Sequence, residues 1–77
     1  MISEINMYEL YRKVKRVISE LENQCDIDEK KGRRNDYAYK YGLYLQFVEL
    51  KQAFYNENIK DNHLVEKYNE LIEQCDL

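Results

Sequence analysis

Few residues of this chain could make or break bonds. Histidine occurs once, at His63, and cysteine twice, at Cys25 and Cys75. A side-chain nucleophile needs a base within hydrogen-bond reach and a third group to orient that base. His63 sits at the start of a predicted helix, with no Ser or Cys at helical spacing to partner it. Zinc sites need three or four Cys, His or carboxylate ligands, and a lone histidine supplies no such set. Gly32 and Gly42 are the only glycines, so there is no Gly-rich phosphate loop. Acidic pairs such as Glu70 and Glu73 fall on the outward side of a predicted helix, where carboxylates are solvated by default. The chain is therefore expected to lack a catalytic, metal or cofactor site and not to be an enzyme. Cys25 and Cys75 both fall on apolar stripes and read as small buried hydrophobes rather than reactive thiols.

Two groups of residues could bind rather than react. Arg12, Lys13, Lys15 and Arg16 form one basic cluster, and Lys30, Lys31, Arg33 and Arg34 form another. Such clusters can attract phosphates. Against that, the sequence pI is about 5.1, whereas nucleic-acid-binding domains commonly exceed about 9. Lys13 and Lys15 also point roughly 160° apart on a helix, which divides the first cluster. Nucleic-acid association is thus the alternative and not the leading expectation. The second group is aromatic. Tyr37, Tyr41, Tyr44, Val48 and Tyr55 fall on one helical stripe, with Lys40 and Lys51 beside it. Tyrosine offers a large rigid area with a polar tip and is enriched at protein interfaces. This stripe, with Lys40 and Lys51 as a charged rim, is the expected partner-binding surface.

Three helices must position these groups. Met7, Leu10, Tyr11, Val14, Val17, Ile18, Leu21 and Cys25 follow a 3–4 spacing that fills one stripe. Ser3 is a favoured N-cap, so the spacing predicts helix one over about 4–25. Gly32 after Lys30 and Lys31 is a C-terminal signal that would extend it to 31. Helix two is predicted over 36–56 and helix three over 62–76, the latter on Leu64, Val65, Tyr68, Leu71, Ile72 and Cys75. Tyr37, Tyr39, Tyr41, Leu43, Leu45 and Phe47 also alternate as a strand would. No other segment offers a partner strand, and a lone strand would leave its backbone groups unpaired.

Helix two has two apolar sides. Leu43, Phe47, Leu50 and Phe54 form a hydrocarbon stripe, and the tyrosines form the other. Together they span about 220°, against about 100° for an ordinary surface helix. Either the helix is central and both sides are buried, or the hydrocarbon side closes the core and the tyrosines stay available. Gly42, with Ala38 and Ala53 nearby in angle, forms a small-residue strip that would admit another backbone. Ser19–Ile27 and Asn69–Leu77 share Glu, Leu, Gln, Cys and Asp at an offset of 50. The residues before them do not match, so a shared amphipathic pattern explains the similarity better than a repeat.

Length sets the frame. The chain has 77 residues, one domain at most. A domain of this size hides only about 60–65% of the surface its unfolded chain exposes, so it gains from regular packing or oligomerisation. The absence of Pro and the scarcity of Gly favour long helices with few turns. The expected fold is an all-α, small three-helix up-down-up bundle. A long helical hairpin that homodimerises is the alternative. Residues 1–40 carry 9 Lys/Arg against 8 Asp/Glu, and residues 41–77 carry 3 against 7. With no basic leader, apolar signal region or membrane span, the expected location is the cytoplasm. Abundant Tyr, Asn, Lys, Glu and Ile with only two alanines suggests an AT-rich genome, such as a low-GC bacterium or its phage. The expected function is a non-catalytic protein–protein interaction module, an inhibitor, adaptor or regulator. It would dock on a larger cytoplasmic protein or on a second copy of itself.

Overall fold

The computed structural model describes residues 6–75. It contains three helices, α1 (Met7–Lys30), α2 (Arg34–Ala53) and α3 (Asp61–Gln74). They make up 83% of the described residues, with no strand among them. The alternating tyrosines of 37–47 therefore lie on a helix.

Helix α1 starts on Asn6, whose side-chain oxygen accepts from the backbone N–H groups of Tyr8 and Glu9 at 3.0 and 3.3 Å. This is an N-cap satisfying two donors that the helix itself cannot. The Ser3 cap expected from the sequence lies outside the described residues. At its other end α1 passes Cys25 and runs to Lys30. Leu21, Cys25 and Asp28 continue the buried stripe, and Asp28, though charged, is only 1% exposed. Gly32, at φ +71°, then ends the helix. The Gly32 N–H donates to the Glu29 carbonyl at 3.2 Å and the Arg33 N–H to the Asp28 carbonyl at 2.8 Å. That pair of bonds is a Schellman motif, and its left-handed position favours glycine.

Helix α2 begins one to two residues before the expected start, on Arg33 without a side-chain cap. Its α-helical ladder stops at Ala53, short of the expected Asn56. The difference is a tightening of the last turn. Phe54, Tyr55 and Asn56 donate to Lys51, Gln52 and Ala53, each three residues back. Asn56 then turns the chain by accepting from the Asn58 N–H at 2.9 Å. Helix α3 takes Lys60 as its N-cap residue, and Asp61 falls in its first turn, where a carboxylate complements the helix dipole. Helix α3 ends at Gln74, with Cys75 already extended, short of the expected end at 76, which itself lies outside the described residues.

Val14 and Leu21 of α1, Leu43, Phe47 and Leu50 of α2, and Leu64, Leu71 and Cys75 at α3 form one buried cluster. The hydrocarbon stripe of α2 is thus the core side, and Phe54 packs against its edge. Phe47 meets Tyr68 edge-on at 6.4 Å. The Tyr39 hydroxyl donates to the Gln74 carbonyl at 2.6 Å, tying the end of α3 to the start of α2. Helix α3 therefore runs antiparallel to α2, as an up-down-up bundle requires. Among the described residues, nothing outside α2's own backbone lies within 4 Å of where a Gly42 side-chain carbon would be, so no other element approaches the helix at Gly42.

Candidate interaction face of the helical hairpin

Helix periodicity places two six-residue stripes side by side on one face of the α1–α2 hairpin. In α1 the stripe is Tyr11, Lys15, Ile18, Glu22, Asp26 and Glu29, and in α2 it is Tyr37, Tyr41, Tyr44, Val48 and Lys51, continued by Tyr55 in the turn that follows α2. Both keep the 3–4 spacing of one helical face. The hairpin brings the start of one stripe to the end of the other. Tyr11 and Tyr55 share a hydrogen bond between their hydroxyls and meet edge-on at 6.0 Å. At the opposite end Glu22, Cys25, Asp26, Glu29, Tyr37, Tyr41 and Tyr44 line a common groove of about 230 Å³.

The groove has an aromatic wall and an acidic wall. Tyr37 and Tyr41 stack with ring centroids 5.7 Å apart and planes within 8°. Tyr41 and Tyr44 continue the ladder at 5.9 Å and 22°. Tyr41 is 43% exposed, Tyr37 is half-buried, and Tyr44 packs against the core cluster. Glu22, Asp26 and Glu29 stand opposite, all exposed, and no cation lines the groove. Loss of water, and next the charge of Glu29, push the Tyr37 phenol above its ordinary pKa. Burial first, and then the Asp28 carboxylate, push the Cys25 thiol up. The protonated thiol is favoured, which is the opposite of what a cysteine nucleophile needs. Cys25 and Cys75 are both free and buried.

The other end of the face is basic. Lys15 Nζ lies 5.7 Å from the centre of the Tyr11 ring, and Arg12 Cζ lies 5.9 Å from that of Tyr8. The hydrogen bond shared with Tyr11 raises the Tyr55 phenol pKa, opposed by the charges of Lys51 and Lys15. Tyr55 is 73% exposed, and half-buried Ile18 and Val48 lie midway between the two ends.

Lys40 departs from the place the sequence suggested. It was expected on the rim of the stripe, but its ammonium donates to Asp28 Oδ2 at 2.8 Å. Its side chain is 28% exposed and that of Asp28 1%. Arg33 adds a weaker contact, Nη1 to Oδ1 at 3.8 Å. The Asp28 Oδ1 atom has no hydrogen bond. Lys40 is thus a structural partner of a buried carboxylate. Asp28 carried no signal in the sequence, because a carboxylate one turn past an apolar stripe looks solvated. The acidic wall was missed for a related reason: Glu22, Asp26 and Glu29 acquire meaning only once α2 lies beside them. Lys51 stays on the face, at its basic end.

The basic clusters are dispersed. Arg12, Lys13 and Arg16 share a shallow surface with Glu9, while Lys15 turns to the tyrosine face. Arg16 also contributes its charge to the surroundings of Tyr68 on α3. In the second cluster, Arg33 contacts Asp28, and Arg33 and Arg34 share a depression with Asp36. Lys30 and Lys31 are exposed. The first cluster lies about 25 Å from the second along α1, at about 1.5 Å per residue. His63 lines a separate groove of about 360 Å³ between α2 and α3, with Leu50, Ala53, Ile59 and Leu64. Among the described residues, no three His, Cys, Asp or Glu side chains are placed to hold a metal ion. No helix there is long and apolar enough to cross a membrane. No protein-family model, curated protein or solved structure matches this chain.

Proposed function

We propose that the chain is a non-catalytic protein–protein interaction module acting in the cytoplasm as an inhibitor, adaptor or regulator, with the tyrosine face of the α1–α2 hairpin as its docking surface. One observation carries the proposal. The core closes on the hydrocarbon side of α2, yet a stacked tyrosine ladder beside it stays partly exposed over a groove. Contiguous exposed aromatic area on a small domain usually marks an interaction site. Tyrosine suits that task because its ring can be covered while its hydroxyl keeps a polar partner.

The test is capture of partners on immobilised protein, comparing the parent with Tyr37→Ala/Tyr41→Ala. The proposal expects the double variant to keep its helical circular dichroism and lose the parent's partners. Unchanged capture by a folded variant would contradict it. Nucleic-acid association remains the competing reading, favoured by the surface that Arg12, Lys13 and Arg16 share. It would be supported instead by salt-dependent DNA or RNA binding that weakens when Arg12, Lys13, Lys15 and Arg16 are neutralised.

A further inference from the structure

The tyrosine face is polarised along its length. Lys15 and Lys51 flank Tyr11 and Tyr55 at one end. Glu22, Asp26 and Glu29 face the Tyr37–Tyr41–Tyr44 ladder at the other. Half-buried Ile18 and Val48 occupy the middle. A pattern that reads basic, apolar, acidic is its own complement when turned end for end. A two-fold axis through Ile18 and Val48 would set each copy's basic end on the other's acidic groove. Such an interface is isologous and closes at two copies. We propose that the tyrosine face takes a second copy of this chain, forming an antiparallel homodimer in which α1 faces α1 and α2 faces α2, so that Lys15 of each copy meets Glu22 and Asp26 of the other and Lys51 meets the other's tyrosine ladder.

The chemistry of the groove suits this occupant. Stacked tyrosine rings attract cations through their faces. The opposing carboxylates add charge: no cation lines the groove itself, and Arg33 and Arg34 reach only its Glu29 edge, through an adjoining depression they share with Glu29 and Tyr37. Size sets the strength. The face from Tyr11 to Glu29 is about 27 Å long at ~1.5 Å per residue, and two helices of ~10 Å diameter make it about 20 Å wide. Two such faces would bury about 1,100 Å², at the lower end of specific interfaces, so the dimer is a reversible one. This inference rests on the tyrosine face being a docking surface and adds the identity of what docks.

Charge reversal in pairs tests it. One variant carries Lys15→Glu/Lys51→Glu, and the other Glu22→Lys/Asp26→Lys. All four residues are outside the core, and circular dichroism checks that each variant folds. By sedimentation equilibrium at low salt, the parent should dimerise with rising concentration. Each reversed variant should dimerise at least about tenfold more weakly, since like charges then face each other. An equimolar mixture of the two should recover dimers, because each supplies what the other lacks. The parent dimer should also weaken as salt shortens the screening length from ~10 Å at 0.1 M to ~3 Å at 1 M. That salt series uses only the unaltered protein, so misfolding of a variant leaves the inference testable. A parent that stays monomeric at about 1 mM would overturn it, as would reversed variants that dimerise like the parent or fail to recover on mixing. If the parent is monomeric but Tyr37→Ala/Tyr41→Ala still loses captured partners, only the second copy is ruled out. If capture is also unchanged, the docking surface falls too.

Discussion

Leu43, Phe47 and Leu50 run down one side of α2, and Tyr37, Tyr41, Tyr44 and Val48 down another that Tyr55 continues past the helix end, yet only the first side is sealed. Phe47 is fully buried, whereas Tyr41 keeps 43% and Tyr55 73% of its exposure. Both sides are apolar enough to be read as core from composition. What separates them is the hydroxyl. A hydrocarbon side chain gains from complete removal of water, while a phenol must find a partner for its O–H or stay wet. The Tyr55 hydroxyl pairs with that of Tyr11 and the Tyr39 hydroxyl with the Gln74 carbonyl, Tyr37, Tyr41 and Tyr44 stack ring on ring, and the hydrocarbon stripe packs against both neighbouring helices. The helix divides folding from association along its own circumference.

The comparison breaks most readily from the sealed side. Phe47→Ala should cost ~3–5 kcal/mol, the usual range for truncating a buried aromatic. A domain of this length has about 4–12 kcal/mol in total, at ~0.05–0.15 kcal/mol per residue. Urea denaturation should therefore find the variant at or near the edge of folding. A small change would mean that the core is elsewhere.

Lys40 tests the boundary between the sides. Lys40→Ala leaves Asp28 charged and buried, with only the more distant Arg33 nearby. The expected loss is ~3 kcal/mol, at the lower end of the ~3–5 kcal/mol range for breaking a buried pair. The residual 28% exposure of the Lys40 side chain keeps it at that end. Asp28→Asn in the same chain should restore part of the loss by removing the stranded charge. If Lys40→Ala is silent in urea denaturation, Lys40 belongs to the exposed rim. The smallest effect concerns the side facing neither core nor tyrosines. Gly42→Ala meets open space and should raise stability by about 0.5–1 kcal/mol through helix propensity alone. A loss there would show that another backbone needs the gap.

Much of this division could be read from residue spacing. The stripes of α1 and α3 and the hydrocarbon stripe of α2 each obey a helical period, and burial follows that period closely. The tyrosine stripe was legible as a surface of interest for the same reason. Its charges were not. Lys40 lies beside Tyr37 and Tyr41 in sequence, but the partner that turns it inward, Asp28, is twelve residues away across a turn. Glu22, Asp26 and Glu29 likewise join the face only through the antiparallel register of α1 and α2. Local periodicity reports which way a side chain leaves its own helix. It is silent on what the next helix places opposite. The same limit applies to the end of α1, where a buried aspartate continues a stripe that otherwise stops at Cys25.

The division of α2 is tested most directly on Tyr41, which is half-exposed in the ladder and outside the core cluster. Unfolding and sedimentation of Tyr41→Ala, measured on the same sample, separate the two roles. The account predicts a stability change below ~1 kcal/mol, as for a surface site, with association clearly weakened. A loss of several kcal/mol, or association equal to that of the parent, would contradict it.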